Sequence, residues 1–179
     1  LHPTSHGANH YTRSLAADVE RLPGLLRDAG YRTGAIVSGY LIGERYGFAP
    51  GFDRFIDSEA KGQEHLSTPG VTETAIALVD ELSSSDAPFF VLAHYFDPHE
   101  DYRRHPEFGF AGASGGRLDG SEPARALRKL DDVDEDEVQL ILDIYDEEIR
   151  FTDDGIGRLL DHLRERGLHD ETLVLLTAD

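Results

Sequence analysis

Pro88-Phe89-Phe90-Val91-Leu92-Ala93-His94-Tyr95-Phe96-Asp97-Pro98-His99-Glu100-Asp101-Tyr102 is the stretch from which the rest of this chain is best read. Phe89 to Leu92 form an unbroken aromatic and branched apolar run, which predicts a strand buried on both faces. The run passes without a spacer into two histidines, an aspartate and a proline. In an open α/β sheet ligands gather outside the carboxyl ends of the strands, so titratable side chains just past Phe96 stand where chemistry is expected. Pro98 bars Asp97 from helical geometry and stiffens the approach to His99.

Working outward, Pro23 in a first turn, Leu25 and Leu26 behind it, and Gly30 as a stop predict a short helix feeding a strand from Arg32 to Val37. The glycines and aromatics between Ser38 and Ala60 predict an ordered loop packed on its own side chains. Thr68-Pro69 opens a helix whose Val71, Ala75, Ile76, Leu78, Val79 and Leu82 have helical spacing and should cover the sheet. Residues from Arg103 to Gly120 show no period, as in a substrate-facing loop or a disordered insertion. A short helix is expected from Pro123 to Leu130. A long one is expected from about Glu135 to Arg166, with Val138, Leu142, Tyr145, Ile149, Ile156, Leu160 and Leu163 inward. Gly155 and Gly157 each weaken it by roughly 1 kcal/mol relative to alanine, which implies a kink or close packing there. Glu171 to Thr177 then reads as another buried strand that delivers Asp179 at its carboxyl end. Helices alternating with buried strands, with no repeat or linker, predict an α/β fold: a predominantly parallel sheet sandwiched by helices.

Composition narrows the function. Lys and Arg number 17 against 35 Asp and Glu, a formal charge of −18, which disfavours nucleic-acid phosphates and anionic lipid surfaces as partners. The acidity is densest from Asp131 to Asp154, where Arg150 is the only cation, and reads as a solvated helix face. Zero cysteines exclude disulfides and thiolate metal sites. No apolar run has membrane-spanning length. The absence of methionine and a final strand with nothing after it suggest an internal fragment of a longer polypeptide.

Four side chains are candidates for chemistry. The imidazole of His99 can donate a proton to a departing alkoxide or, when charged, bind an oxyanion. His94 lies two residues before Phe96 on the same strand face, either as a substrate contact or as a buried structural histidine. Asp97 can contact substrate, orient a histidine, or serve ordinary turn chemistry. Asp179 offers a hard carboxylate oxygen suited to Ca²⁺ or Mg²⁺. His2, His6 and His10 would share a helical face, but Pro3 and Gly7 make that helix improbable. Asp132, Asp134 and Asp136 mimic an EF-hand start, yet Glu137 stands where that loop needs glycine. No dinucleotide fingerprint or phosphate-binding loop is complete.

Phe96-Asp97-Pro98-His99-Glu100-Asp101-Tyr102 resembles the Asp-Pro-His-x-Pro-Tyr segment of sulfatases, within the alkaline-phosphatase-like superfamily. Pro3-Thr4-Ser5-His6-Gly7, Leu26 to Gly34, Gly51-Phe52-Asp53-Arg54-Phe55, Glu148 to Leu160 and Thr172 to Asp179 are similar to further segments of that family, in the family's order. Two positions depart from its pattern: Asp101 stands where proline is usual, and Ser38-Gly39-Tyr40-Leu41 replaces a sulfate-holding Gly-Lys-x-His. The resemblance implies that residues 1–179 are part of a sulfatase-like catalytic domain that hydrolyses a small-molecule or carbohydrate sulfate ester. It further implies His99 as a catalytic group, His94 and Asp97 near substrate, and Asp179 as a ligand of a divalent cation, normally calcium. A formylglycine nucleophile is expected upstream of Leu1 and further metal residues beyond Asp179, so residues 1–179 alone are expected to be inactive. Two alternatives stay open: a phosphodiesterase or phosphotransferase of the same superfamily, and a non-catalytic acidic interaction domain.

Overall fold

The computed structural model describes residues 13–16, 18–60, 67–99, 102–112 and 134–178. The expectations for His2, His6, His10, Pro3 to Gly7, the helix at 123–130 and Asp179 fall outside these residues.

The first helix among the described residues is α1 (Leu22–Asp28), where Pro23 sits in the first turn and needs no intrahelical partner for its missing N–H. Gly30 follows at φ +92°, a left-handed conformation that reverses the chain into strand β1 (Arg32–Val37). β1 is the middle strand of a parallel sheet ordered β2-β1-β3, with β2 at Arg54–Ile56 and β3 at Phe89–His94. Arg32 pairs with Phe89 and Val37 with His94, so β1 and β3 run in step and end side by side. Helix α2 (Thr68–Leu82) links β2 to β3 and packs on the sheet. The long helix α3 (Glu135–Glu165) packs on α2.

Ile36, Val71, Ala75 and Leu78 form a core at 0–1% exposure, with Ile56, Val91, Ala93, Tyr95 and Leu159 packed around it. Burying side chains such as Ile36, Val71 and Leu78 stabilises by roughly 1.5–3 kcal/mol each. Gly34 lets α2 come this close, because a Cβ there would sit 2.8 Å from Leu82 Cδ1. Arg32 then ties the same helix end down by donating to the carbonyls of Glu81 and Leu82 at 2.7 and 3.1 Å.

The expected fold class holds: a parallel α/β sheet with helices packed on it. Four details differ. β2 lies inside the stretch read as loop; it is three residues long and opens on an arginine, too short for a periodic signal. What places it is the reciprocal bonding of Asp53 with Thr33, through Thr33 N to Asp53 Oδ2 at 2.8 Å and Asp53 N to Thr33 O at 2.9 Å. β3 is not buried on both faces, since Leu92 is 41% exposed. A continuous apolar run reports that cover is needed on both sides, not that neighbouring residues supply it.

In α3 Leu163 is buried as expected, whereas earlier in the helix the inward face is rotated from the one expected. Val138, Leu142 and Ile149 are exposed, whereas Leu140, Ile144, Glu147, Glu148, Thr152 and Gly155 are buried. Counting apolar residues misplaced the face because its centre carries two glutamates, and the acidic stretch is therefore not solvated throughout. Gly155 is the close-packing point: a Cβ there would lie 2.5 Å from Thr68 Cγ2 and 2.8 Å from Thr72 Oγ1. That contact is with α2 rather than with the sheet. Finally, residues 172–178 are not a buried strand. They pair with no strand among the described residues, and Leu173, Leu175 and Leu176 are 83, 82 and 78% exposed.

Candidate active site

The site is built where β1 and β3 end together. Ser38, just past β1, is 2% exposed and stitches the two strand ends. Its hydroxyl donates to His94 O at 2.7 Å and accepts from Phe96 N at 2.8 Å. Gly39 follows, and a Cβ there would meet His94 Cε1 at 3.1 Å, so the imidazole of His94 lies over the Gly39 backbone. His94 is half-buried at the strand end.

Tyr95 turns inward, its hydroxyl 3.1 Å from Thr72 Oγ1, and burial pushes its phenol pKa up. Phe96 begins the turn, with its carbonyl accepting from His99 N at 2.9 Å. The Asp97–Pro98 peptide bond is cis. The ring of His99 stacks on that of Phe96, with centroids 4.4 Å apart and an interplanar angle of 15°. The exposed imidazole at 99 thus stands on an aromatic base at the carboxyl edge of the sheet.

Asp97 caps a helix. It is 8% exposed, and its Oδ2 accepts from Ser67 N at 3.1 Å, Thr68 N at 2.8 Å and Thr68 Oγ1 at 2.7 Å. Ser67, at the N-cap of α2, makes no capping bond with its own side chain. The first turn of α2 therefore draws its acceptor from thirty residues downstream, and the carboxylate sits at the positive end of the helix dipole. Asp97 consequently anchors the turn that carries His99 to the element that packs beneath the sheet.

Three residues with no site role in the sequence analysis lie close by. The loop after His99 returns across α3, where Glu148 Oε1 accepts from Arg103 N at 2.7 Å and Glu147 accepts from His105 N at 2.8 Å. The His105 ring, 5% exposed, stacks on Phe151 at 4.1 Å. Gly155 was the usable signal. Stepping back from it at helical spacing passes through Thr152, Glu148, Ile144 and Leu140, all of which are buried.

Among the described residues no group of three or more His, Asp or Glu side chains is arranged to hold a metal ion. Asp179, the expected ligand, lies outside them, so no coordination set is assembled by the residues described. Among the same residues, no helix is long and apolar enough to cross a membrane.

The described residues thus form a parallel α/β sheet with a histidine-bearing turn at its carboxyl edge. Along residues 1–179 the chain matches the family model described as Sulfatase, and it belongs to the sulfatase family. No curated protein matches the chain. Among solved structures it is similar to a Bacteroides thetaiotaomicron protein from a locus for metabolism of multiple glycosaminoglycans, with 16% identity and a TM-score of 0.62, covering 93% of this chain and 44% of that one. It is similar to the phosphonate monoester hydrolase of Agrobacterium radiobacter, with 16% identity and a TM-score of 0.60, covering 95% and 49%. It is also similar to BT4656, solved with its substrate D-glucosamine-2-N,6-O-disulfate, with 16% identity and a TM-score of 0.59, covering 94% and 51%. The chain spans about half the length of these structures.

Proposed function

We propose that this chain is part of a sulfuric ester hydrolase acting on a sulfated carbohydrate, with His99 in contact with the ester and Asp179 among the ligands of a divalent cation, calcium by preference. The observation that supports it most is the sulfatase match along the whole chain, taken with the exposed imidazole that the Asp97-Pro98-His99 turn lifts from the sheet edge. A protonated imidazole in that position hydrogen-bonds a sulfate oxygen, or gives its proton to the bridging oxygen as the S–O bond breaks. His94, half-buried beside Gly39, lines the floor of the same edge and suits a contact with the bound ester. Asp97 contributes by fixing the turn. When bound, the cation supplies Lewis-acid stabilisation of the sulfate oxygens, and a formylglycine outside the described residues supplies the nucleophile.

The sulfated sugar bound by BT4656 favours carbohydrate over other sulfate esters. The likeness to a phosphonate monoester hydrolase gives the second reading a specific form. The test assays the full-length protein against a sulfated glucosamine and a phosphonate monoester side by side. The expected result is a kcat/KM for the sulfate ester at least about tenfold above that for the phosphonate, a difference of about 1.4 kcal/mol in transition-state stabilisation. Preference for the phosphonate transfers the assignment to the second reading, and turnover of neither ester leaves the interaction-domain alternative.

A further inference from the structure

Helix α3 buries two consecutive carboxylates that the chemistry above does not use. Glu147 is 0% and Glu148 3% exposed. Their oxygens take up main-chain donors of a single loop: Arg103 N to Glu148 Oε1 at 2.7 Å, His105 N to Glu147 Oε2 at 2.8 Å and Ala111 N to Glu147 Oε1 at 2.9 Å. That loop begins three residues after His99 and borders the same edge of the sheet. A buried carboxylate is costly unless its lone pairs are occupied, so this pair and this loop order one another. His105 is packed between them. Its Nε2 makes no hydrogen bond among the described residues and lies 3.6 Å from Glu148 Oε1.

We propose that Glu147 and Glu148 are positioning residues that clamp the main chain of residues 103–111 to α3, and that the clamp is tight while Glu148 carries a proton and loosens when it ionises. The charged and titratable groups facing Glu148 explain the sign. Asp97 approaches Glu148 from the β3 turn and Arg103 and His105 from the loop, while Arg104 pairs with the neighbouring Glu147 and Glu107 with His105. Arg104 Nε lies 3.5 Å from Glu147 Oε2, and Glu107 Oε1 lies 3.6 Å from His105 Nδ1. Burial pushes the Glu148 carboxyl up to about 7, with the charge of Asp97 adding to the rise and the bond from Arg103 N opposing it. Burial also pushes the His105 imidazole down, against the pull of Glu107 and Glu147. Glu148 Oε1, which accepts from Arg103 N, is also the oxygen nearest His105 Nε2, and a protonated Glu148 keeps that acceptor without a buried charge. An ionised Glu148 holds its charge at 3% exposure beside that of Asp97, and opening the loop to water relieves both costs.

The experiment compares full-length wild type, Glu148→Gln and Glu148→Ala by amide hydrogen exchange of residues 103–111, normalised to β1, from pH 6 to pH 8. Glu148→Gln keeps the acceptor and cannot ionise. Expected are exchange about tenfold faster in Glu148→Ala, wild-type protection that falls through pH 7, and protection in Glu148→Gln that does not. The clamp bears on function only through the hydrolase reading above. On that reading KM for the sulfated saccharide rises about fivefold in Glu148→Ala at unchanged kcat and is restored in Glu148→Gln. Unchanged exchange in Glu148→Ala overturns the clamp. Wild type and Glu148→Gln with the same pH dependence overturn the role of the proton, and this comparison stands even if Glu148→Ala does not fold. The expected exchange pattern in a protein that cleaves no sulfate ester sinks the hydrolase reading and leaves the clamp intact.

Discussion

Replacing Asp97 with alanine removes the acceptor on which the start of α2 depends. Three donors lose their partner together: Ser67 N, Thr68 N and the Thr68 hydroxyl, with Ser67 1% and Thr68 2% exposed. A missing N-cap costs about 0.5–2 kcal/mol, and a hydrogen bond to a charged group contributes about 1.5–3 kcal/mol. These terms overlap, because the cap is itself the charged bond. One strong interaction lost and a second buried donor stranded together give about 3 kcal/mol. Asparagine retains one oxygen and the side-chain volume but loses the charge, so about 1 kcal/mol is expected for Asp97→Asn. Urea unfolding followed by far-ultraviolet circular dichroism reads both values, provided the slope with denaturant stays that of wild type. Should Asp97→Ala cost less than about 1 kcal/mol, or should the two variants be equally destabilised, the capping role assigned to this carboxylate is wrong.

The two glycines of α3 make opposite predictions. Gly157→Ala meets nothing within 4 Å and should stabilise by up to about 1 kcal/mol. Gly155→Ala drives a methyl into Thr68 and Thr72, and overpacking of about 1–3 kcal/mol should outweigh the same helical gain, so its denaturation midpoint falls while that of Gly157→Ala rises. Stability should also carry the signature of Glu148. Because its folded pKa is raised from 4.5 to about 7, the native state holds a proton that the unfolded chain has released between those values. Stability therefore declines as pH rises from about 4.5 to about 7 and levels off above. At 1.36 kcal/mol per unit the ceiling is about 3 kcal/mol, and solvent screening at the loop margin reduces it to about 1–2 kcal/mol. His105 works in the opposite direction below its ordinary 6.5, so the quantity to measure is the wild-type curve minus that of Glu148→Gln.

Much of this architecture was legible because strong local signals agreed with one another. Pro23 and Gly30 bracket α1, and β1 was expected at the residues where it is found. Of the inward positions expected in α2, Val71, Ala75, Leu78, Val79 and Leu82 are buried. The turn at 97–99 was legible because a proline and two histidines follow directly on an apolar run. What stayed hidden depended on contacts distant in the chain. Asp97 caps a helix that starts thirty residues earlier, so its neighbours in sequence give no hint of that duty. Glu147 and Glu148 look solvated until the loop that satisfies them is in place. The apolar run after Glu171 shows the converse: it has the composition of a buried strand, whereas burial depends on neighbours that composition cannot report.

The most direct test is the turnover number of the full-length protein carrying His99→Ala, measured with a sulfated saccharide at saturating concentration. His99 is exposed and its ring stacks on that of Phe96, so the fold of the variant is checked first by circular dichroism. Loss of a proton donor at the ester should lower kcat by about 10²–10⁴-fold. A kcat within a factor of about three of wild type, in a variant shown to be folded, would place the chemistry elsewhere than at the carboxyl edge of β3.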